Sequence, residues 1–227
     1  MGLYLSQHLK LKPKAIIFDL DGTIIDSINA YCKCINRIFM ELGLPTVNKE
    51  EIIKVMREGK IPWEVLIPKN IDHREELVHR SIELALETFT PTYIQEAKPI
   101  HGTLEVLKEL SRKGIPVGVA TSAWGEEVIV VLRKFNLDKF IKVVIRRGDV
   151  TRNKPAPDVL LKCAEKLGFP PEECLYVGDS PIDVKTGKAA GTPTIAVLTG
   201  VGDYESLSKE KPLKIVKDIK ELLNYLD

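Results

Sequence analysis

The sequence has almost no excess charge of either sign, with 33 lysines and arginines against 32 aspartates and glutamates among its 227 residues. A protein that binds the phosphate backbone of nucleic acid needs a clustered excess of basic side chains. The net charge of +1 therefore gives no indication of a nucleic-acid partner. A chain of this length suffices for one large domain, or for a core domain with a smaller insertion.

Cysteines and long apolar runs are also scarce. The four cysteines are Cys32, Cys34, Cys163 and Cys174, and their spacing does not indicate a zinc site. We therefore expect buried free thiols in a reducing cytoplasm. The uncharged apolar stretches are too short to span a membrane, and the N-terminus lacks targeting features. These properties predict a cytoplasmic protein without a membrane partner, by default a monomer.

Short apolar runs predict buried parallel strands, and helical patterns fill the intervals between them. The five clearest runs are Ala15–Phe18, Pro116–Thr121, Ile141–Ile145, Cys174–Val177 and Thr194–Leu198. A weaker sixth run covers Leu213–Val216. From about residue 100 onward, strands and amphipathic helices alternate, which predicts an α/β fold with a Rossmann-like, doubly wound parallel sheet.

The interval after the first strand is helical instead. Its apolar spacing predicts three helices, at 28–42, Glu50–Glu58 and Arg74–Phe89. Because a connection from strand to helix normally needs only a few residues, a segment of this length indicates an inserted domain. We predict a catalytic core at 1–26 and 100–227 and an all-helical cap at 27–99. The linkers between them would lie near 22–27 and 97–102.

Two carboxylates lie directly after the first predicted strand, in the sequence FDLDGT that begins at Phe18. Asp19 and Asp21 are two residues apart, so their side chains would point to the same side of an extended chain. Two like charges in that position are unfavourable unless a cation neutralises them or one is protonated. Gly22 then allows the backbone to turn sharply. The segment therefore predicts a metal site or a carboxylate pair.

Three further segments carry polar side chains at or beyond the ends of predicted strands. Thr121 and Ser122 follow the second strand, and Asp179 and Asp183 follow the fourth. Lys154 lies beyond the third strand, in the sequence NKPAPD that leads into a helix. Because ligands of open α/β sheets bind at the carboxyl ends of the strands, these side chains would converge on one crevice.

These residue types suit phosphoryl transfer. Asp19 can attack phosphorus to form an aspartyl-phosphate, which requires a divalent cation between the carboxylate and the anionic phosphate. Asp19, Asp179 and a backbone carbonyl near Asp21 would form an oxygen-rich site suited to Mg²⁺. Lys154 would offset the remaining negative charge, and Thr121 can hydrogen-bond a phosphoryl oxygen. Asp21 would protonate the leaving oxygen and then activate water, a role that contributes about 10²–10⁴-fold.

The four motifs, in this order and spacing, resemble those of the haloacid dehalogenase superfamily of phosphotransferases over nearly the whole chain. The helical insertion resembles the cap of the phosphoglycolate phosphatase and β-phosphoglucomutase branch. The resemblance implies a nucleophile, an acid–base, two phosphate binders and a metal ligand, which are, in that order, Asp19, Asp21, Thr121, Lys154 and Asp179. It also implies that Asp183 supports the metal, directly or through water.

We therefore predict a Mg²⁺-dependent phosphatase that hydrolyses a small phosphate monoester. Dehalogenases of the superfamily lack the second carboxylate, so Asp21 favours phosphate chemistry. A sugar phosphomutase similar to β-phosphoglucomutase would use the same acid–base and stays an alternative, as does a non-catalytic binding module that kept the fold. The start of the first cap helix shows no clear match to the His-bearing hinge of sugar phosphomutases, which favours hydrolysis.

Three residues have two readings each. Arg57 and Lys60 lie in the cap sequence REGKIPW, which resembles the substrate-facing loop of related caps. They either contact the part of the substrate that is not transferred or are solvated surface charges. Ser122 is either a turn residue or a neighbour of the phosphate. We include all three as candidate substrate-binding residues.

Overall fold

The computed structural model of the protein describes residues 10–227, so the first nine residues of the predicted core domain lie outside it. The strands are β1 (Ala15–Phe18), β2 (Ile25–Asp26), β3 (Lys98–Pro99), β4 (Val117–Ala120), β5 (Ile141–Ile145), β6 (Cys174–Gly178), β7 (Thr194–Val197) and β8 (Lys214–Val216). The helices are α1 (Ile28–Glu41), α2 (Lys49–Arg57), α3 (Pro62–Leu66), α4 (Arg74–Glu96), α5 (Thr103–Arg112), α6 (Glu127–Lys134), α7 (Asp158–Leu167), α8 (Pro181–Ala190) and α9 (Tyr204–Lys209). Short 3₁₀ turns cover Asp138–Phe140, Arg147–Asp149, Pro171–Glu173 and Ile219–Tyr225.

Six strands form one parallel sheet in the order β5-β4-β1-β6-β7-β8. The central strand β1 is fully buried, and its side chains alternate between two apolar layers. Ile16 and Phe18 pack in one layer, and Ala15 and Ile17 pack in the other. Burial on both faces explains why its sequence is continuously apolar. The predicted doubly wound α/β core is confirmed, and each of the six predicted strands is present.

Helices α1 to α4 lie between β2 and β3 in the sequence and have an apolar cluster of their own. Phe39, Ile52, Trp63 and Leu84 belong to this cluster, one from each helix. The ring centroids of Phe39 and Trp63 are 6.1 Å apart. These helices therefore share an apolar cluster of their own, while Ala30 of α1 and Tyr93 of α4 pack in the larger cluster on the sheet.

Two details of this segment differ from the sequence-based expectation. The predicted helix at Arg74–Phe89 continues to Glu96, with Pro91 inside it. A proline removes a helical hydrogen bond and usually ends a helix, which is why the sequence indicated an earlier stop. In addition, the interval contains the two-residue strand β3, which pairs antiparallel with β2, joining Ile25 to Pro99. The two predicted linkers are therefore tied together by backbone pairing.

The four cysteines are free thiols, as expected, and Cys34, Cys163 and Cys174 are buried. Burial raises the pKa of the Cys163 thiol to about 12 and that of Cys174 to about 11. Thiols with such values are inert at neutral pH. Within residues 10–227, every helix is too short or too polar to cross a lipid bilayer.

Candidate active site

The carboxyl ends of β4, β1 and β6 are neighbours because these strands are adjacent in the sheet. Asp19 directly follows β1, and its backbone N–H donates to the carbonyl of Val177 on β6 at 2.8 Å. Thr121 directly follows β4, and its N–H donates to the carbonyl of Ile145 at 3.0 Å. These bonds continue the sheet by one residue, so the side chains of Asp19 and Thr121 start from fixed backbone positions.

A cavity of about 590 Å³ opens at this edge of the sheet, under helices α1 to α3. Its lining contains eight of the nine residues predicted for the site, which are Asp19, Asp21, Lys60, Thr121, Ser122, Lys154, Asp179 and Asp183. The ninth, Arg57, is not part of the lining as far as residues 10–227 define it. The topology therefore brings together groups that are up to 164 positions apart in the sequence, as from Asp19 to Asp183.

Lys154 lies at the centre of the buried polar network. Its Nζ donates to Asp19 Oδ1 at 2.6 Å, to Asp183 Oδ1 at 2.8 Å and to the Tyr176 hydroxyl at 2.6 Å. Burial by itself would lower the pKa of Lys154, but Asp183 and Asp19 outweigh burial and raise it. Burial would likewise raise the pKa of Asp183, but Lys154 holds it below its ordinary value. The ammonium therefore stays charged and joins two carboxylates.

Asp183 is fixed by the first turn of α8. Ser180 is the N-cap of this helix, and its N–H and hydroxyl donate to Asp183 Oδ2 at 3.0 and 2.6 Å. The backbone N–H of Asp183 donates in return to the Ser180 hydroxyl, which completes a capping box. The Tyr176 hydroxyl donates to Asp183 Oδ1 at 2.6 Å. Asp183 therefore both starts the helix and presents an oxygen to the site.

The Asp179 carboxylate is held by hydrogen bonds and by close contacts with the backbone of two glycines. The Thr23 hydroxyl donates to its Oδ1 at 3.2 Å, and the Val201 N–H donates to its Oδ2 at 2.8 Å. A Cβ at Gly22 would lie 2.6 Å from Asp179 Oδ2, and a Cβ at Gly200 would overlap the same carboxyl group. Both positions therefore require glycine, because no side chain fits beside the carboxyl group.

Three of these carboxylates can share one cation. One oxygen from each of Asp19, Asp179 and Asp183 lies within 4.8 Å of the other two, and all three residues are buried. Burial is the main reason that the pKa of Asp19 is raised to about 7. Burial also holds the pKa of Asp179 well above its ordinary range, with Asp183 and Asp19 adding to the effect. Among residues 10–227, the Lys154 ammonium is the one cation paired with these carboxylates. Hard oxygen ligands of this kind suit a divalent cation.

Asp21 occupies a different environment, and its side chain is not part of the carboxylate cluster. The hydroxyl of Tyr93, near the end of α4, donates to Asp21 Oδ1 at 2.7 Å. Desolvation raises the pKa of Asp21, and the hydrogen bond from Tyr93 partly opposes this increase. A carboxyl group with a raised pKa, beside but outside the cluster, is suited to give and take a proton.

The two predicted cap residues differ in their positions. The Arg57 guanidinium lies against the loop after β7, where Nε donates to the Val201 carbonyl at 2.6 Å and Nη1 forms an ion pair with Asp203. Lys60 lines the cavity, and its Nζ lies 2.6 Å from a carboxylate oxygen of Glu58. Arg57 therefore connects α2 to the loop after β7 beside the cavity, whereas Lys60 lines the cavity itself.

Ser122 also lines the cavity, next to Thr121. The Thr121 hydroxyl accepts a hydrogen bond from the Ala123 N–H at 3.0 Å, which leaves its own proton free to be donated. The loop after β4 therefore presents two hydroxyl groups at the cavity wall. Hydroxyl donors in this position can bind phosphoryl oxygens.

Three residues of the site were not predicted from the sequence, and these are Tyr93, Tyr176 and Arg147. Of the three, Arg147 lines the cavity. Tyr176 could have been predicted from the sequence, because a buried tyrosine in an otherwise aliphatic strand needs a hydrogen-bond partner for its hydroxyl. Arg147 could also have been predicted, because it follows the carboxyl end of β5 at the ligand-binding edge of the sheet. Tyr93 could not, because its contact with Asp21 depends on how α4 packs against the core.

The site and the fold define a class of protein: an α/β enzyme with a buried carboxylate cluster at the carboxyl ends of its parallel strands. The model of the haloacid dehalogenase-like hydrolase family matches residues 16–197. The chain belongs to this family, and it is a phosphatase of the haloacid dehalogenase type.

Three relatives illustrate this membership. A protein of Caldanaerobacter subterraneus named as the pyrophosphatase PpaX is 33% identical over 95% of this chain and 96% of its own. The phosphoglycolate phosphatase of Escherichia coli is 28% identical, covering 94% of this chain and 92% of its own. The crystal structure of a hydrolase of subfamily IA from Geobacter sulfurreducens superposes with a TM-score of 0.71 at 26% identity, over 94% and 99% of the two chains.

Proposed function

We propose that the protein hydrolyses a small phosphate monoester with Mg²⁺ through an aspartyl-phosphate on Asp19. The observation that carries this proposal is the buried network in which Lys154 joins Asp19 and Asp183 beside Asp179. Asp19, Asp179, Asp183 and the backbone near Asp21 would hold the ion. When bound, Mg²⁺ would offset the repulsion between a carboxylate and the anionic phosphate.

In the first step, a carboxylate oxygen of Asp19 attacks phosphorus, and the bond from phosphorus to the leaving oxygen breaks. Asp21 donates a proton to that leaving oxygen, which departs as an alcohol. Thr121 and Ser122 donate hydrogen bonds to the phosphoryl oxygens, while the Lys154 charge offsets the negative charge that develops there.

In the second step, Asp21, now a carboxylate, takes a proton from a water molecule. The water oxygen attacks phosphorus, and the bond to the Asp19 oxygen breaks. Inorganic phosphate leaves, and both carboxyl groups return to their initial protonation states. The hydrogen bond from Tyr93 holds Asp21 in one orientation for both proton transfers.

The division of labour between domains is part of the proposal. Residues 1–26 and 100–227 would form the catalytic core, and residues 27–99 would form a cap that selects substrates and excludes water. Arg57 supports this arrangement, because its contacts with Val201 and Asp203 join α2 to the core. We further propose that the protein is cytoplasmic and that it is a monomer. Light scattering of the purified protein would test the monomeric state.

The relatives guide the choice of substrates. Phosphoglycolate and pyrophosphate, which their names identify, both combine a phosphoryl group with a second anionic group. A screen of phosphate monoesters should therefore include phosphoglycolate, and pyrophosphate should be tested beside it as an anhydride. A phosphomutase would convert β-glucose 1-phosphate to glucose 6-phosphate, whereas a phosphatase releases free phosphate. Membership in a family of hydrolases sets aside the alternative of a non-catalytic binding module.

The mechanism predicts different effects for the two carboxylates at the end of β1. Asp19→Asn should abolish the turnover of p-nitrophenyl phosphate, because the nucleophile is lost. Asp21→Asn should slow the breakdown of the phosphoenzyme, so that a burst of nitrophenol precedes a slower steady state. Removing Mg²⁺ with a chelator should abolish activity, and adding the ion back should restore it.

Asp72→Asn is a matched control, because Asp72 is exposed on the cap surface. This variant should keep wild-type turnover. Wild-type turnover in Asp19→Asn would end the nucleophile hypothesis. Equal burst and steady-state rates in Asp21→Asn and wild type would remove Asp21 from the mechanism.

A further inference from the structure

Three cationic side chains take part in the cavity lining: Lys60, Arg147 and Lys154. Lys154 is bound to Asp19 and Asp183, and Lys60 is paired with Glu58. Arg147 differs, because it has no carboxylate within 4.0 Å among residues 10–227. The neighbouring Arg146, in contrast, is paired with Glu126 and Asp149. Arg147 therefore brings an uncompensated positive charge to the cavity.

The backbone fixes Arg147 beside the loop that carries the two cavity hydroxyls. It begins the 3₁₀ turn after β5, and its N–H donates to the carbonyl of Ala123 at 3.0 Å. Ala123 follows Thr121 and Ser122, and all three residues line the cavity with Arg147. The guanidinium is thus anchored on the core next to the proposed phosphate-binding loop, and its position does not depend on the cap.

Trp124 holds the guanidinium group in place. The Arg147 Cζ lies 4.7 Å from the centroid of the Trp124 ring, which fits a cation–π contact. The Trp124 side chain is 61% exposed, which is unusual for such a large aromatic group. The N–H donors of a guanidinium lie in its own plane, so the contact with the Trp124 ring uses none of them.

One of these donors has no partner. The Arg147 Nε is shielded from solvent, and no acceptor lies within hydrogen-bond distance of it among the described residues. Buried N–H groups are normally hydrogen-bonded, because leaving one unpaired costs free energy. Nε and a terminal nitrogen of a guanidinium form the two-pronged donor that matches the two oxygens of a carboxylate or phosphate.

We propose that Arg147 binds a second anionic group, carried by the part of the substrate that is not transferred. The preferred substrate class would then be phosphate esters or anhydrides whose leaving group bears a carboxylate or a second phosphate. This inference rests on the proposed phosphatase function and adds a specificity-determining residue to it. Trp124 is a positioning residue in this arrangement, because it acts through Arg147.

The test compares matched substrates that differ in one charge. Phosphoglycolate and its amide, phosphoglycolamide, have nearly the same shape, but only phosphoglycolate has the second anionic group. Wild-type enzyme should show a kcat/KM ratio well above 10 in favour of phosphoglycolate. In Arg147→Gln this ratio should fall by about 10- to 100-fold, as expected for the loss of charged hydrogen bonds. Pyrophosphate distinguishes the phosphate form of the anion from the carboxylate form.

Two further measurements separate substrate recognition from a general defect. Because Arg147 would contact a part of the substrate that does not react, the loss should fall mainly on KM and less on kcat. Arg147→Lys keeps the positive charge but lacks the planar pair of N–H donors. It should therefore recover part of the kcat/KM preference for phosphoglycolate over phosphoglycolamide. Arg133→Gln, an exposed arginine on α6 outside the cavity, should leave the ratio unchanged.

The outcomes are distinct for the two hypotheses. The role of Arg147 would be overturned if wild type and Arg147→Gln showed the same phosphoglycolate-to-phosphoglycolamide ratio and the same kcat/KM for pyrophosphate. In that case, Mg²⁺-dependent turnover of p-nitrophenyl phosphate by the wild type would still support the proposed phosphatase. Absence of that turnover would instead refute the phosphatase function itself. A circular dichroism melt of each variant shows whether it is folded.

Discussion

Replacing Lys154 with methionine tests the network at the centre of the site. Methionine has a similar length but no charge, and the Lys154 side chain is only 3% exposed. The change leaves Asp19 and Asp183 buried without their shared ammonium group. Removing one partner of a buried ion pair typically costs about 3–5 kcal/mol. We expect a loss of this size in the free energy of unfolding at pH 7 without metal.

The cost of taking up a proton gives an independent magnitude. Without Lys154, the site can relieve the repulsion by protonating one carboxylate. Asp183 is the carboxylate that Lys154 keeps ionised in wild type, and its ordinary pKa is 3.8, so holding a proton there at pH 7 costs about three pKa units, or about 4 kcal/mol. The two magnitudes agree. Because the native variant would hold a proton that wild type releases, its stability falls more steeply with pH, and its deficit should widen from pH 5 to pH 7.

Urea unfolding in the presence of EDTA measures both quantities. The expected loss is a large part of the stability of an ordinary domain, which is about 5–15 kcal/mol. Lys108→Met is the control, because Lys108 is exposed on α5, and it should change stability by less than about 0.5 kcal/mol. If Lys154→Met lost less than about 1 kcal/mol in the free energy of unfolding, the role of Lys154 in stabilising the buried carboxylates would be contradicted. A difference from wild type that narrows as the pH rises would contradict it as well.

Two further substitutions test the surroundings of the carboxylates. Tyr93→Phe removes the hydrogen bond to Asp21 and should lower kcat by about 10-fold, since losing a hydrogen bond to a charged group costs about 1.5–3 kcal/mol. An unchanged kcat in steady-state assays would contradict this role. Gly200→Ala introduces a Cβ that overlaps the Asp179 carboxyl group and should cost about 1–3 kcal/mol in urea unfolding. Gly148→Ala, where a Cβ makes only ordinary contacts, should be tolerated.

Much of the core could be predicted from local sequence. Each buried strand is a short apolar run, because a parallel sheet covered on both faces needs apolar side chains on both. Asp19 and Asp179 follow such runs directly, and carboxyl ends of adjacent parallel strands share one edge. The sequence therefore predicted that these carboxylates would meet if their strands were parallel neighbours, and the sheet order makes β1 and β6 neighbours. Their chemical roles stay predictions until the variants are measured.

The helical segment was predicted less completely. Pro91 indicated the end of a helix, yet α4 continues to Glu96 and carries Tyr93 to Asp21. Arg57 was expected either at the substrate or as a solvated surface charge, and the structure places its guanidinium against Val201 and Asp203. Both outcomes depend on how the helices pack on the core, which no local pattern encodes.

Local sequence was sufficient to predict the order of strands and helices and the polar groups at the strand ends, because periodicity and turn chemistry act between near neighbours. The partners of those polar groups depend on tertiary packing. Tyr93 and Asp21 are 72 positions apart, and Lys154 and Asp19 are 135 apart. Such contacts form when packing brings distant segments within a few ångströms, where burial and charge set the chemistry of each group.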